Sequence, residues 1–271
     1  MHQLLDCSGL KKATYYYYLN TIGKDDKYQE VKERIEQIFR GSNRTYGYRR
    51  IKLALTNFFD IKISHKTVRK LMNELKIVCK VRKKKYRYIS RISNKIVPNV
   101  LHRDFSADRP NLKWVTDVTE FRIHRKKLYL SVIQDLYNGE IVAYAVSRSP
   151  DQKLILDSLR SALDPRLDLT ELLIHSDQGE LYHSPKYRNF LKKSKIQQSM
   201  SSKGNCYDNA VVESFFGTLK CETIYLNKIK TLGELISTIE QYIEWYNHER
   251  IKLTLNGYSP IQYRLKNEQK L

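Results

Sequence analysis

The pattern of hydrophobic and polar positions changes near residue 109. Before that point apolar residues recur at helical spacing, and beyond it they form compact runs that are typical of buried strands. The sequence therefore predicts an all-α part followed by an α/β part. The four expected segments are an N-terminal helical segment over 1–27, a helix-turn-helix domain over 28–79, a basic linker over 80–108 and a core over 109–271.

Residues 28–77 predict three helices separated by turn signals. Their apolar stripes are Val31, Ile35 and Ile38 or Phe39 in the first, Tyr48, Ile51 and Leu55 in the second, and Val68, Leu71, Met72 and Leu75 in the third. Ser64 is the expected N-cap of the third helix. The polar face of that helix carries Lys66, Arg69, Lys70 and Asn73. Such a face is typical of a recognition helix, although the periodicity also fits a plain three-helix bundle.

A basic and aromatic stretch follows these helices. It spans residues 80–88 and includes Lys83, Lys84 and Lys85. A block of like charges is often a solvated, flexible tail, but it can also lie along a groove of DNA. We therefore treat these three lysines as candidate DNA contacts.

The region from residue 109 predicts a sheet with helices around it. An apolar strand over 113–121 precedes two runs, 127–136 and 140–146, which flank an Asn138-Gly139 turn and predict a β-hairpin. The later elements are, in order, a helix with Leu154, Leu156, Leu159 and Leu163, a strand ending at Asp177, a helix over 184–194, a short strand over 196–200 and a helix containing Glu213. This order predicts an α/β, ribonuclease-H-like fold, in which helices flank a mixed five-stranded sheet.

Charge and length point to a nucleic-acid partner. A chain of 271 residues is long enough for one large and one smaller domain. Its 49 Lys and Arg residues against 29 Asp and Glu residues give a net charge of +20, of which +15 falls within residues 1–108. A basic front end attracts a phosphate backbone through charge neutralisation and counterion release.

Several classes of protein are excluded by what the sequence lacks. The four cysteines form no C-x-x-C pair and show no ligand spacing with histidine, so we expect reduced thiols and no structural zinc. No signal peptide and no long apolar run is evident, which predicts a cytoplasmic protein without membrane partners. The absence of a P-loop and of an H-x-x-R box argues against nucleotide hydrolysis and against a tyrosine recombinase.

Three acidic residues are candidate metal ligands. Asp117 lies inside a predicted strand, Asp177 ends another, and Glu213 lies on a predicted helix, with 59 and 35 residues between them. Carboxylate oxygens select Mg²⁺ or Mn²⁺ rather than zinc, and two such ions suit displacement at the phosphorus of DNA. The competing interpretation is that these are ordinary surface acids, of which the chain has many.

The helix with Glu213 also predicts its own orientation. Its apolar stripe of Val212, Phe215 or Phe216, and Leu219 would dock on the sheet. Asn209 and Lys220 would then share a rim with Glu213. His175 lies two residues before Asp177 and could contact metal or phosphate, but we expect it to be packed and hydrogen-bonded.

Specific motifs resemble those of DDE transposases of bacterial insertion sequences. They are Thr-Asp-Val-Thr over 116–119, His-Ser-Asp-Gln-Gly over 175–179, Gly-Asn-Cys-Tyr-Asp-Asn-Ala-Val-Val-Glu-Ser-Phe-Phe over 204–216, Tyr-Asn-His-Glu-Arg over 246–250 with Leu255, Gly257, Ser259 and Pro260 beyond, and Tyr-Gly-Tyr-Arg-Arg over 46–50 with the helix over 64–75. The 35-residue interval before Glu213 matches the D,D(35)E pattern. Lys252 stands where many members have histidine. The chain resembles the OrfB catalytic subunit of the IS-three family, whose core is similar to that of retroviral integrases.

The resemblance implies a transposase that joins element ends through attack by 3′-hydroxyls. Asp117, Asp177 and Glu213 would bind two Mg²⁺ or Mn²⁺ ions, and Asn209 and Lys220 would position DNA or the site. The implied partners are terminal inverted repeats, target DNA, an OrfA or OrfAB protein, and further copies in a dimer or higher assembly on DNA. The implied location is the bacterial nucleoid. Two alternatives are a non-catalytic DNA-binding regulator or inhibitor derived from a transposase, and a ribonuclease-H-type nuclease acting on RNA–DNA hybrids.

Overall fold

The chain forms two compact units, Met1–Val78 and Cys79–Leu271. The computed structural model describes residues 11–19, 26–80, 98–101, 104–164, 169–201 and 209–268. Lys83, Lys84 and Lys85 lie outside the described residues, as does most of the loop before the Glu213 helix. No helix in the described ranges is long and apolar enough to cross a bilayer.

The first unit is all-α. Its helices are α1 Lys12–Leu19, α2 Gln29–Gly41, α3 Tyr48–Phe59 and α4 His65–Glu74. The three helices predicted over residues 28–77 are thus confirmed. The predicted cap is also confirmed, because the Ser64 hydroxyl oxygen accepts a hydrogen bond from the Thr67 backbone N–H at 3.1 Å.

Burial in this unit follows the predicted stripes. The buried side chains on α2, α3 and α4 are Ile35, Phe39, Ile51, Ala54, Leu55, Val68, Leu71 and Met72, and Leu75 is half-buried. Opposite them on α4, the polar face formed by Lys66, Arg69, Lys70 and Asn73 is exposed. A helix with one apolar stripe packs that stripe inward and leaves its charged side chains in water.

The second unit is built on a mixed five-stranded sheet. The strands are β1 Lys113–Ile123, β2 Lys126–Asp135, β3 Ile141–Ser147, β4 Leu173–Ser176 and β5 Gln197–Met200. Their order is β3-β2-β1-β4-β5, with antiparallel pairing on one side of β1 and parallel pairing on the other. The hairpin turns at Gly139, whose φ of +71° favours glycine. The predicted sheet and its hairpin are confirmed.

Helices cover both faces of this sheet. They are α5 Gln152–Ala162, α6 Glu180–His183, α7 Pro185–Lys193, α8 Ala210–Leu219, α9 Leu232–His248 and α10 Pro260–Glu268, with a π-helical turn at Lys220–Ile224 and a 3₁₀ turn at Leu253–Leu255. Helix α7 begins as predicted, because Ser184 caps it and Pro185 occupies its first position.

Alternation along β1 divides the core into two layers. Trp114 is fully buried on one face among side chains of α5 and α7. Val115 is fully buried on the other face, against α8 and α9. Because successive side chains of a strand point to opposite faces, Asp117 belongs to the same face as Val115 and therefore to the side of the sheet covered by α8.

A short segment before the core lies along the outer side of β5. The Met200 N–H donates to the Pro98 carbonyl at 3.3 Å. The Ser199 hydroxyl oxygen accepts from the backbone N–H groups of Val100 and Leu101, at 2.9 and 3.1 Å. Residues 98–101 are thereby fastened to the strand next to β4.

Candidate active site

The register of the sheet brings the two aspartates together. In the parallel pairing of β1 with β4, Thr116 lies opposite Ser176. Asp117 comes directly after Thr116, and Asp177 directly after Ser176. The two aspartates therefore lie at the same level of two neighbouring strands. The sequence interval alone does not show that these residues are neighbours. The parallel pairing of β1 with β4 places them side by side although they are 60 positions apart.

Asp117 lies at the centre of a negative cluster. It is half-buried, and its Oδ1 accepts a hydrogen bond from the Val118 N–H at 2.7 Å. Burial raises the pKa of Asp117 well above its usual range, and the negative charges of Asp177 and Glu213 raise it further, while Lys220 acts in the opposite direction. Asp177 and Glu213 are therefore both within electrostatic reach of Asp117.

Asp177 is held by the turn that follows β4. Its Oδ1 accepts from the Gly179 N–H at 2.9 Å. A Cβ atom at residue 179 would lie 2.9 Å from that same oxygen. Any side chain at this position would push the carboxylate out of place, so Gly179 is required for the orientation of Asp177.

His175 is packed and hydrogen-bonded, as the sequence predicted. It is fully buried, with Nδ1 2.9 Å from the Ser199 hydroxyl and Nε2 3.3 Å from the Ser201 hydroxyl. Ser199 already accepts two backbone N–H groups, so its own proton goes to Nδ1. Nε2 then carries the imidazole proton and donates to Ser201, whose hydroxyl donates to the Ser176 carbonyl. This network braces the residue before Asp177.

Tyr182 also belongs to the site, and sequence reasoning missed it. It is buried, and its hydroxyl lies 3.5 Å from the Thr116 hydroxyl. Burial raises the pKa of Tyr182 well above its usual range, and the charges of Asp117 and Asp177 raise it further. Tyr182 belongs to the four-residue helix α6, which is too short to show an apolar period, so the sequence offered no signal for it.

Glu213 comes to the acids on helix α8. The helix docks through Val212, Phe215, Phe216 and Leu219, which are all buried in the core. Glu213 itself is exposed and lies in the first turn of the helix. The predicted stripe is confirmed, and it places Glu213 where its charge acts on Asp117.

Lys220 connects α8 back to β1. Its Nζ donates to the Thr119 hydroxyl oxygen at 2.7 Å and to the Glu120 carbonyl at 3.2 Å, and it lies 5.0 Å from the Phe121 ring centroid. Burial lowers the pKa of Lys220, and the negative charge of Asp117 opposes that change. The amine is thus fixed near Asp117 by three neighbours on one strand. Its predicted role with DNA stays a prediction.

Asn209 immediately precedes α8. It is buried, and within the described part of the chain neither its amide nitrogen nor its amide oxygen has a hydrogen-bond partner. Unsatisfied buried amides are uncommon. Its predicted contact with DNA or with the site remains untested.

The donor set fits a hard divalent cation. The three candidate ligands offer carboxylate oxygens, and the charges of Asp177 and Glu213 disfavour ionisation of Asp117, so a bound cation would offset that repulsion. Among the described residues, no three acidic, histidine or cysteine side chains lie as close together as a preformed metal cluster. The chemistry of the site therefore suits Mg²⁺ or Mn²⁺, and the predicted two-ion arrangement stays a prediction.

Three regions of the chain match known protein families. Residues 107–206 and residues 213–267 match two families described as Integrase core domain. Residues 27–85 match an HTH-like domain. The first two regions contain all three candidate acids, and the third contains α2, α3 and α4.

Whole proteins and one solved structure are also similar. The chain is 44% identical over 264 residues to a protein named as transposase InsK for insertion sequence element IS150 of Escherichia coli (strain K12), and the match covers 97% of this chain and 93% of the relative. It is 38% identical over 170 residues to transposase InsF for insertion sequence IS3A of the same organism, covering 62% and 59%. The HTLV-2 integrase catalytic core domain in complex with magnesium superposes with a TM-score of 0.46 at 19% identity, covering 58% of this chain and 98% of that one.

Proposed function

The chain belongs to the insertion-sequence transposases that carry an integrase core domain, and from that premise we propose that it catalyses DNA cleavage and strand transfer at element ends. The proposed catalytic residues and metal ligands are Asp117, Asp177 and Glu213. In this proposal a 3′-hydroxyl loses its proton to solvent and its oxygen attacks a phosphodiester. A new P–O bond forms as the existing P–O3′ bond breaks, and the leaving 3′-oxygen takes up a proton to become a new 3′-hydroxyl.

One observation supports the proposal most directly. The parallel register that pairs Thr116 with Ser176 sets Asp117 and Asp177 side by side, and Glu213 raises the pKa of Asp117 from a neighbouring helix. A cluster of like charges costs free energy in the folded state, and a bound cation offsets that cost, so such a cluster indicates a functional site.

Each residue has a proposed task. The three carboxylates would hold two divalent ions, which when bound would activate the attacking hydroxyl and stabilise the leaving oxygen. Lys220 would keep a positive charge next to Asp117 and the scissile phosphate. Tyr182, buried and neutral, would exclude water from beneath the two aspartates.

The decisive experiment is strand transfer by the purified chain on pre-cleaved, branched DNA. This substrate reduces the need for recognition of element ends by a partner. Wild type is expected to join DNA in Mg²⁺ or Mn²⁺ and not in EDTA. Glu213→Gln keeps the shape of the side chain and removes its negative charge. The rate of strand transfer should therefore fall by at least about 10²-fold. Glu240→Gln, an exposed acid on α9, is the matched control and should join DNA at the wild-type rate.

Two outcomes would contradict the proposal. Metal-independent joining would exclude the carboxylate mechanism. DNA binding without joining, unchanged by Glu213→Gln even after OrfA is added, would favour a non-catalytic DNA-binding regulator instead.

We also propose that the exposed face of α4 contacts DNA. Replacing Lys66, Arg69 and Lys70 together with alanine removes three charges that are exposed in the protein. The slope of the logarithm of the binding constant against the logarithm of salt concentration should become shallower by about 2 to 3. Fluorescence anisotropy with a labelled duplex measures this slope. An unchanged slope would remove α4 from the DNA interface, provided that thermal unfolding shows the variant to be folded.

The proposed partners follow from the chemistry. Lys83, Lys84 and Lys85 would add phosphate contacts, and Asn73 and Asn209 would add polar ones. Joining two element ends requires two active sites, so we propose a dimer or higher assembly on DNA, together with an OrfA or OrfAB protein for end recognition. The proposed location is the nucleoid of the bacterial cytoplasm.

A further inference from the structure

A buried ion pair lies behind the catalytic helix. The guanidinium of Arg250 donates to both carboxylate oxygens of Glu222, from Nε at 2.7 Å and from an Nη at 2.6 Å. The Tyr242 hydroxyl donates a third hydrogen bond to the Glu222 carboxylate, at 2.9 Å. The side chains of Glu222 and Arg250 are only 4% and 6% exposed. A bidentate ion pair that is this well shielded from solvent holds both side chains in one geometry.

Glu222 belongs to the π-helical turn Lys220–Ile224, which continues α8. A π-helical turn is an uncommon, wider turn, and it persists where surrounding contacts support it. Here the support comes from the Glu222 carboxylate, since Arg250 and Tyr242 hold it from outside the turn. Lys220 is the first residue of the same turn, so its backbone position is set together with that of Glu222.

Arg250 is itself part of a rigid frame. Its guanidinium lies 5.5 Å from the Tyr246 ring centroid, and the Tyr246 hydroxyl donates to the Gly139 carbonyl at 3.1 Å. The side chain of Asn247 accepts from the Ile141 N–H and donates to the Ile141 carbonyl, both at 2.9 Å. These hydrogen bonds hold the end of α9 against the β2–β3 hairpin. They therefore limit the movement of Arg250, which follows α9.

We propose that Arg250 is a positioning residue of the active site, acting through Glu222 on the π-helical turn and through that turn on Lys220. The chain of contacts is continuous: Arg250 holds Glu222, the turn carries Lys220, and Lys220 reaches Thr119 on β1, two residues beyond Asp117. This gives the Tyr-Asn-His-Glu-Arg motif a task in the core. The inference rests on the proposed function wherever strand transfer is the readout.

The rate of strand transfer tests whether Arg250 acts on the active site through Lys220. Arg250→Lys keeps the positive charge but loses the bidentate hydrogen bonding to Glu222. The rate of strand transfer should therefore fall by about 10- to 100-fold. Lys220→Met lowers the rate by removing the amine. In the double variant, Arg250→Lys should cost no more than about a factor of two beyond Lys220→Met alone, because its target is gone. Fully multiplicative losses would overturn the proposal.

Arg264→Lys is the matched control. Arg264 also forms a two-pronged pair, with Glu140, and it lies on α10 away from the π-helical turn. This variant should leave the rate near wild type, and its small effect should multiply with that of Lys220→Met. A loss as large as that of Arg250→Lys would show that any weakened ion pair has the same effect, which would also overturn the proposal.

A second readout needs no activity. Limited acetylation followed by mass spectrometry reports how accessible each lysine amine is. Arg250→Lys should increase acetylation of Lys220 several-fold, with the exposed Lys66 unchanged as an internal reference, and Arg264→Lys should leave both unchanged. Unaltered labelling of Lys220 in Arg250→Lys would overturn the inference. If wild type shows no strand transfer, the proposed function fails, and this labelling still decides the role of Arg250.

Discussion

Asp117→Asn is expected to make the metal-free protein more stable and to lower its rate of strand transfer by about 10³-fold. Both effects have one cause. Asp117 is half-buried, and its burial together with the neighbouring like charges raises its pKa, so ionising it costs free energy in the absence of a cation. The asparagine removes that cost and still offers an oxygen to the Val118 N–H. It also removes the charge that we assign to metal binding.

The sign of the pH dependence follows from the raised pKa. Above the unfolded value of 3.8, the folded protein retains a proton that the unfolded chain has lost. The free energy of unfolding of the wild type should therefore fall as pH rises from that value towards neutrality, and this contribution should be missing in Asp117→Asn. Thermal unfolding in EDTA between about pH 5 and pH 8 measures it, and near pH 8 the variant should melt at least about 3 °C higher.

Adding a divalent metal ion tests the role of Asp117 as a ligand. Mg²⁺ or Mn²⁺ should raise the melting temperature of the wild type and leave that of Asp117→Asn almost unchanged, since binding to the folded state stabilises it. Asp157→Asn, which replaces a half-buried acid on α5, is the control and should behave like the wild type. A variant that melts lower than the wild type in EDTA, or that keeps the stabilisation by metal, would contradict the assignment of Asp117.

Phe215→Ala is expected to lower the free energy of unfolding of the second unit by about 3–5 kcal/mol. Phe215 is 3% exposed, and its ring meets that of Tyr246 edge to face at a centroid distance of 4.9 Å. It lies two residues after Glu213 and packs α8 against the sheet. The variant therefore loses apolar contacts and loosens the helix that carries a catalytic carboxylate, so strand transfer should fall as well.

Tryptophan fluorescence in urea measures this effect in one unit alone, because both tryptophans, Trp114 and Trp245, belong to the second unit. Phe215→Leu keeps most of the volume and should cost less than about 1.5 kcal/mol. Phe58→Ala, which removes a ring that is 49% exposed in the first unit, should leave this transition within about 0.5 kcal/mol. A loss below about 1 kcal/mol in Phe215→Ala would mean that the ring is not essential for docking α8.

Much of the fold was predictable because local patterns agreed with the final packing. The apolar run around Asp117, the Asn138-Gly139 turn and the stripe on α8 each belong to one element, and each was confirmed. The site followed from the same logic, since an acid at the end of one strand and an acid inside its neighbour meet if the strands are parallel. That condition was an inference from element order, and the observed register satisfies it.

The rest depended on contacts between distant parts of the chain. Glu222 and Arg250 are 28 residues apart, and each taken alone reads as a surface charge, because buried charges are rare unless paired. The π-helical turn has no apolar period of its own. Tyr182, on the short helix α6, and the serines around His175 became recognisable only once β4 and β5 were aligned beside β1.

The attachment of residues 98–101 to β5 has a consequence for how the core can be excised. A fragment that began at residue 107, where the integrase-core match starts, would lose the Pro98 carbonyl that accepts from the outward Met200 N–H of β5. A bare strand edge invites pairing with another molecule and hence aggregation. The hydroxyl of Ser199 would also lose the two backbone donors that direct its proton to His175. A fragment that begins a few residues before Pro98 keeps this contact with β5 and the two donors to Ser199, which favour one tautomer of His175.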